Sequence, residues 1–256
     1  MNYQAASSVA AARLGADDKF LAGGQSLLGA IKLGLAAPEG LVDVRRLPEL
    51  QGITVDGKTV RIGAATTHAT VAASTDVQRA IPALADLAGR IGDRQVRNVG
   101  TLGGSLANND PAACYPAAVL GLGATIHTSS RTIAADDFFQ GLFTTALQDG
   151  ELIIAVSFPI PKAAAWQKFK QPASRFSLVG VFVARLDTGV RVAVTGAGPG
   201  VFRSAELEQA LARDWSATAA RAVKLSADGL SSDLHGTPEY RAALIPELAA
   251  RAVAAA

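Results

Sequence analysis

The sequence predicts an α+β protein in two parts, and three observations lead to this fold class. Up to Phe158, short apolar runs of strand length alternate with runs of helical periodicity. Pro159 and Pro161 then interrupt the chain, and proline cannot continue a central strand. Beyond them the pattern changes to consecutive strand-like runs followed by helical ones. We therefore expect a boundary near residues 159–165, with a small antiparallel sheet backed by helices after it.

The bulk composition is that of a globular protein. Of the 256 residues, 49% are hydrophobic and 18% are charged, so a sizeable core is expected. The formal net charge of +2 comes without any basic run, which argues against a nucleic-acid partner. No apolar run reaches membrane-spanning length and no signal-like segment opens the chain. The sequence therefore predicts a cytoplasmic protein without a membrane span.

Cys114 is the only cysteine of the chain. One thiol cannot form an internal disulfide, and alone it cannot hold zinc or an iron–sulfur cluster, so no metal site is expected. Cys114 follows a helix-start signal, in which Asp110 is the expected N-cap and Pro111 the first helical residue. We interpret the thiol as a small buried side chain rather than a nucleophile.

The elements before the boundary begin with a βαβ unit. Lys19–Ala22 reads as a strand, Gly23-Gly24 as a turn, and Ser26 as the cap of a helix over 27–35 that leads to a strand over 41–44. A short helix over 9–14 precedes this unit. The later expected elements, in chain order, are a hairpin at Asp56-Gly57, helices over 66–74 and 76–91 with a break at Pro82, a helix over 112–122, and strands over 124–127, 131–134 and 152–158.

The elements after the boundary form an antiparallel meander and three helices. The expected strands are 166–170, 178–186 and 190–195, and the expected helices are 204–212, 217–227 and 238–255.

Two glycine pairs stand out as candidate phosphate-binding turns. The first glycine segment is Leu21–Gly29, and the second glycine segment is Thr101–Ser105 within the stretch Gln95–Pro116. Backbone N–H groups can approach a dinucleotide pyrophosphate closely where glycine removes the Cβ. Neither segment matches a Walker-type loop, and two purely structural turns explain the spacing equally well.

Other candidate sites are weaker. The run Gly196–Gly200 resembles a Rossmann fingerprint, but Pro199 removes a donor and no acidic strand follows it. The three histidines lack partners at ligand spacing, so solvated or capping roles are expected for them. Lys168 and Lys170 alternate on one predicted strand face with Trp166. That face is either a solvated edge or an anion-binding surface, and spacing leaves both possibilities open.

Ordered sequence blocks over nearly the whole chain resemble the flavin-binding medium subunit of molybdenum hydroxylases. This family includes aerobic carbon monoxide dehydrogenase, bacterial xanthine dehydrogenases and N-heterocycle dehydrogenases. The blocks that carry the resemblance are LAGGQSLLGAIKLGLAAPEGLVDVRRLPEL (21–50), IGAATTHATVA (62–72), IGDRQVRNVGTLGGSLANNDPAA (91–113), DDFFQGLFTTAL (136–147), WQKFKQPASRFSLVGV (166–181) and DLHGTPEYRAAL (233–244).

The resemblance implies a vanillyl-alcohol-oxidase (PCMH)-type FAD-binding domain over 1–162, made of two α+β subdomains that meet near residue 52, and a C-terminal domain over 163–256. It also implies which residues contact FAD. The first segment would wrap the pyrophosphate, the second would add backbone contacts, and Lys170 would reach the cofactor. The implied contacts are Leu21, Ala22, Gly23, Gly24, Gln25, Ser26, Leu27, Leu28, Ile91, Thr101, Leu102, Gly103, Gly104, Ser105, Asn108, Asp110, Leu152 (or its neighbour Ile153) and Lys170.

The sequence departs from the family pattern at Cys114, where many relatives have an aspartate that hydrogen-bonds the cofactor. Asn108, Asn109 or Asp110 is the expected substitute for that carboxylate.

The function implied by the resemblance is electron relay. A large molybdopterin subunit would oxidise the substrate, and a small subunit would pass the electrons through two [2Fe–2S] clusters to the FAD of this chain, which would reduce an external acceptor. The implied assembly is a dimer of heterotrimers, and no catalytic acid or base is expected on this chain. The alternatives are a stand-alone flavin oxidoreductase of the same fold and a flavin-free scaffold subunit.

Overall fold

A computed structural model describes residues 1–256, and its first unit is a small parallel sheet. The elements are β1 (Asn2–Ala5), β2 (Lys19–Leu21), α1 (Leu27–Lys32) and β3 (Gly40–Asp43). The strand order is β1-β3-β2, and β2 pairs with β3 in parallel, which confirms the predicted βαβ unit. The helix expected over 9–14 is wrong: residues 8–12 form only turns, as expected where so short a segment must nucleate a helix alone.

The middle unit is a five-stranded antiparallel sheet with helices on one side. After a 3₁₀ turn at Pro48–Leu50, its elements in chain order are β4 (Ile53–Asp56), β5 (Thr59–Gly63), α2 (His68–Ala73), α3 (Thr75–Ala80), α4 (Pro82–Gly89), α5 (Arg94–Val99), α6 (Leu102–Asn108), α7 (Tyr115–Leu122), β6 (Thr125–Thr128), β7 (Thr132–Ala134), α8 (Ala135–Phe138), β8 (Phe139–Gly141), β9 (Thr144–Thr145) and β10 (Ile153–Pro159). The sheet order is β4-β5-β10-β6-β7, and β8 pairs with β9 as a separate hairpin. The Asp56-Gly57 hairpin and the helix break at Pro82 are confirmed.

Side-chain caps explain why the helices of the middle unit are short. Thr67, Ser74, Asp93 and Thr101 each accept a hydrogen bond from the backbone N–H three residues later, and each begins a new helix. Two expected caps are wrong. Ser26 makes no capping hydrogen bond, and Asp110 instead caps a turn through Ala112 N (2.8 Å), so that α7 begins only at Tyr115.

The last unit is the expected meander with its helices: β11 (Ala163–Lys170), β12 (Ser177–Leu186), β13 (Gly189–Thr195), β14 (Phe202–Arg203), α9 (Ala205–Arg213), α10 (Ala217–Ala222) and α11 (Pro238–Ala255). The sheet order is β11-β12-β13-β14, and all pairings are antiparallel. The helix expected over 217–227 ends five residues early. None of the helices has both the length and the apolar character needed to cross a membrane.

Alternating side chains of the last sheet join two different cores. Trp166, Phe182 and Ala193 belong to the largest buried cluster, which they share with the middle unit. Val181 and Val192, on the opposite face, pack with α9 and α11. Helix α7 is buried along its whole length between the middle sheet and the last one. The segment just before α7, which contains Asp110 and Cys114, is therefore held from both sides.

Candidate cofactor-binding site

The first glycine segment leaves its backbone donors unused. The N–H groups of Ala22 through Leu27 have no acceptor within the chain; the next donor, Leu28 N, bonds Gly24 O at 3.0 Å. The segment follows β2, and Gln25 and Ser26 are exposed. Gly24 has φ +69°, a conformation that other residues rarely adopt. An unbroken run of unpaired N–H groups is a site for an anion, because each donor gains a partner when phosphate oxygens approach.

The second glycine segment has the opposite property. It is preceded by helix α5 rather than by a strand, and it forms the first turn of α6. Its N–H groups from Leu102 onward are occupied: Leu102 N bonds Thr66 O (3.1 Å), Gly103 N bonds Ala64 O (2.8 Å), and Gly104 N bonds Thr101 Oγ1 (3.1 Å). Ser105 N bonds Thr101 O (3.0 Å). Residues 102–105 thus have no free backbone donors for the expected contacts in this structure. Whether its residues touch the cofactor stays a prediction.

The structure brings the two glycine segments together. A Cβ on Gly23 would lie 2.7 Å from Gly100 Cα, and a Cβ on Gly104 would lie 3.6 Å from Ala22 Cβ. A Cβ on Gly103 would lie 2.6 Å from Ala64 Cβ, inside the fold. Gly23 and Gly103 therefore leave no room for a Cβ, because neighbouring chain lies against them. Gly103 in particular is a packing position.

His68 packs against Gly100, next to the second glycine segment, and the sequence did not predict this contact. The expected solvated or capping role is wrong, because His68 is only 5% exposed. Its backbone N–H bonds Gly100 O (2.9 Å), and its ring lies against Gly100, where an added Cβ would be 2.6 Å from Nε2. Burial, aided by the positive charge of Arg97, lowers the pKa of His68 to about 4, so the ring is neutral. The only sequence signal for a structural role of His68 was its position inside the family-like block 62–72.

The other histidines are at least partly exposed. His127 Nε2 pairs with Ser157 Oγ at 2.8 Å, and partial burial, with Arg61 nearby, lowers its pKa. His235 Nδ1 pairs with Gln171 Nε2 at 2.6 Å on the surface.

A polar cavity of about 290 Å³ adjoins the second segment, sharing Val99 and Thr101 with the α5–α6 connection. Arg45 and Arg46, which sequence reasoning did not single out, also line it. Arg45 forms a forked ion pair with Asp43 at the end of β3. Burial opposes ionisation of Asp43, but hydrogen bonds from Arg45 and Tyr3 outweigh it and lower its pKa to about 2. This ion pair lies at the end of β3, beside the end of β2, and the first glycine segment follows β2.

The remaining expected contacts fall into two groups. Ile91, Asn108 and Asp110 are half-buried near the ends of α4 and α6. Leu152 instead packs in the small N-terminal core with residues such as Val42 and is 9% exposed, so it is not packed with Ile91.

Asn109 uses both amide donors within the fold. Its side chain is buried, and its Nδ2 donates to Gly141 O (2.8 Å) and Thr144 O (2.7 Å), which ties the β8–β9 hairpin to the end of α6. Asn108, Asn109 and Asp110 remain the predicted substitutes for the missing carboxylate.

Cys114 and Lys168 meet at the start of α7. Cys114 is 5% exposed, which confirms the interpretation as a buried side chain. Lys168 Nζ lies 3.4 Å from Cys114 Sγ and 3.2 Å from Arg90 O, and Ser177 Oγ lies 3.7 Å from the same sulfur. Lys170 is exposed and its side chain has no hydrogen-bonded partner; a register shift of the β11–β12 pairing lies between Phe169 and Lys170. The two lysines therefore have different surroundings.

Comparison with known proteins supports the family resemblance over nearly the whole chain. Residues 2–161 match the family described as "FAD binding domain in molybdopterin dehydrogenase". The chain is 34% identical to the carbon monoxide dehydrogenase medium chain of Hydrogenophaga pseudoflava over 262 aligned residues, covering 95% of this chain and 91% of that one. It is 36% identical to the nicotine 6-hydroxylase medium subunit of Paenarthrobacter nicotinovorans, with 93% and 89% covered.

Solved structures agree. A carbon monoxide dehydrogenase from Hydrogenophaga pseudoflava superimposes with a TM-score of 0.88 at 34% identity, covering 100% of this chain and 96% of that chain. Quinoline 2-oxidoreductase from Pseudomonas putida 86 gives a TM-score of 0.87 at 29% identity, with 100% and 96% covered. The chain therefore belongs to the FAD-binding medium subunits of the molybdenum hydroxylases, which are oxidoreductase flavoproteins.

Proposed function

We propose that this subunit is an electron relay whose FAD is held by its pyrophosphate on the first glycine segment. FAD accepts two electrons and releases them to an acceptor, and the protein orients the flavin and tunes it. The observation that carries the proposal is the run of unpaired N–H groups from Ala22 through Leu27. A pyrophosphate offers the oxygens to accept them, so the residues present fit the cofactor.

We assign the other expected contacts relative to this position of the pyrophosphate. Thr101, Gly104 and Ser105 border the pyrophosphate end, because Gly104 lies against Ala22. Ile91, Asn108 and Asp110 border the flavin end of the cofactor, and Lys170 and Leu152 stay in the set proposed from the family resemblance. No side chain of this chain acts as an acid or base in the relay.

The partners are proposed from the relatives. A large subunit with the molybdenum cofactor and a small subunit with two [2Fe–2S] clusters would deliver electrons to this FAD, and an external acceptor would remove them. We further propose a dimer of heterotrimers, a cytoplasmic location, and domains over 1–162 and 163–256. The relay predicts that the chain co-purifies with molybdenum and iron–sulfur subunits from its native source. Isolation as a single chain that turns over substrate would instead identify a stand-alone flavin oxidoreductase.

A charge placed beside the N–H run tests the proposed cradle. Gln25→Glu puts a carboxylate on the exposed turn, where it repels the pyrophosphate, and we expect the Kd for FAD to rise about tenfold. Gln140→Glu makes the same charge change on the exposed β8 and serves as the matched control. Both Kd values come from titrating the full chain with FAD and following flavin absorbance. Equal Kd values for the two variants would place the pyrophosphate elsewhere.

A further inference from the structure

The polar cavity beside the second glycine segment is lined by two guanidinium groups and by no acidic side chain. Eleven residues line it, and apart from Arg45 and Arg46 all of them are uncharged. A concave surface with charges of one sign concentrates their field inside it. The cavity is therefore complementary to an anion.

The two arginines differ in how their charge is balanced. Arg45 binds Asp43 through Nε and Nη2, and its Nη1 group makes no hydrogen bond. The side chain of Arg46 is exposed and takes part in no ion pair and no hydrogen bond. Asp43 therefore neutralises one of the two positive charges, and the charge of Arg46 remains for a ligand.

Hydrogen bonds hold the wall of the cavity in place. Gln51 Nε2 donates to Arg45 O at 2.7 Å, and Thr66 Oγ1 donates to Gly52 O at 3.2 Å. Asn98, on α5, also lines the cavity, and its side-chain amide is exposed and makes no hydrogen bond. A ligand would thus meet a fixed wall with an unused amide donor, so that little conformational entropy is lost on binding.

The cavity is separate from the N–H run of the first glycine segment. None of residues 22–27 lines it, and Thr101 is the only proposed FAD contact that does. Its volume of about 290 Å³ is close to the lower limit of small-molecule sites, which is about 300 Å³. It therefore has room for a phosphate group with a small organic substituent.

We propose that this cavity is a second anion site, which binds the phosphate group of a small molecule through Arg46 and Arg45 Nη1. The planar N–H groups of a guanidinium match pairs of phosphate oxygens. Phosphate has enough oxygens to accept from both arginines and from the Asn98 amide, whereas a carboxylate has only two. The inference goes beyond the proposed function, because the ligand is an anion other than FAD.

Calorimetric titration of the FAD-loaded full chain with inorganic phosphate, in a buffer without other oxyanions, tests the proposal. Arg46→Gln removes the unbalanced charge, and Asn98→Asp adds a carboxylate to the cavity wall. Arg13→Gln, on another exposed arginine, and Gln95→Glu, on the same helix as Asn98, are the matched controls, because neither residue lines the cavity. The FAD-free chain, and glycerol 3-phosphate as a second probe, are titrated in parallel.

We expect saturable phosphate binding with and without FAD. Arg46→Gln and Asn98→Asp should each raise the phosphate Kd about tenfold, because each weakens a charge-assisted contact, and the two controls should leave it unchanged. Tighter binding of glycerol 3-phosphate would identify a phosphate ester as the ligand, and tighter binding of inorganic phosphate would identify the free ion.

Three results would overturn the proposal: no saturable binding, an unchanged Kd in either cavity variant, or phosphate binding that FAD loading abolishes. In the last case FAD itself would occupy the cavity. Failure of the unmodified chain to take up FAD would refute the proposed function alone, because the titration of the FAD-free chain still decides whether the cavity binds phosphate.

Discussion

The two glycine segments look alike in sequence and differ in what their backbone can do. Residues 22–27 leave their N–H groups unpaired, whereas Leu102 through Ser105 use theirs within the fold. Gly24 is needed for a left-handed turn, and Gly103 is needed because Ala64 packs against it. Glycine therefore serves a left-handed turn at Gly24 and close packing at Gly23 and Gly103. A glycine pair alone therefore does not identify a phosphate-binding turn.

The pH dependence of the free energy of unfolding tests the burial of His68, which packs against Gly100 next to the second glycine segment. The pKa of His68 is about 4 in the fold and about 6.5 in an unfolded chain, so the unfolded chain binds the proton more tightly. The stability from neutral His68 is fully present above pH 6.5 and is lost as pH falls towards 4. The loss reaches about 3 kcal/mol at pH 4.

Urea unfolding between pH 7 and 4 measures this effect. His68→Gln should flatten the pH slope, and His235→Gln, on an exposed histidine, should keep it. The same slope in both variants would show that His68 is not the group responsible.

Alanine substitutions at matched glycines test the difference between the segments. In α6, Gly103→Ala places a Cβ 2.6 Å from Ala64 Cβ, and overpacking of this kind should cost about 2 kcal/mol. In α1, Gly29→Ala meets nothing within 4 Å and should be neutral or stabilising by up to about 1 kcal/mol. Denaturant midpoints of the FAD-free chain decide between them, and equal midpoints would contradict the packing role of Gly103.

Sequence patterns predicted the parts of the fold that depend on neighbouring residues. The Asp56-Gly57 hairpin, the break at Pro82 and the βαβ unit that leads through Gly23-Gly24 follow from local turn and strand preferences. The resemblance identified the family. Local patterns also located the first segment, whose free donors are a property of its own turn.

The parts that the sequence did not predict depend on contacts between distant residues. The N–H groups of the second segment are occupied because Ala64 O and Thr66 O reach them from the end of β5, which no local pattern shows. His68 is buried by Gly100 and Tyr115, with ring centroids of His68 and Tyr115 5.3 Å apart. The difference between Lys168 and Lys170 depends on the contacts of Lys168 with Arg90 and Cys114, which alternation alone does not reveal.

Amide hydrogen exchange with and without FAD distinguishes the two glycine segments and tests whether the pyrophosphate lies on residues 22–27. In the full chain without FAD, the N–H groups of residues 22–27 should exchange fast and those of 102–105 slowly, because only the latter are bonded. Once absorbance shows that FAD is bound, we expect strong new protection at 22–27 and little change at 102–105. Bound FAD without protection at 22–27 would show that the pyrophosphate does not accept from these N–H groups.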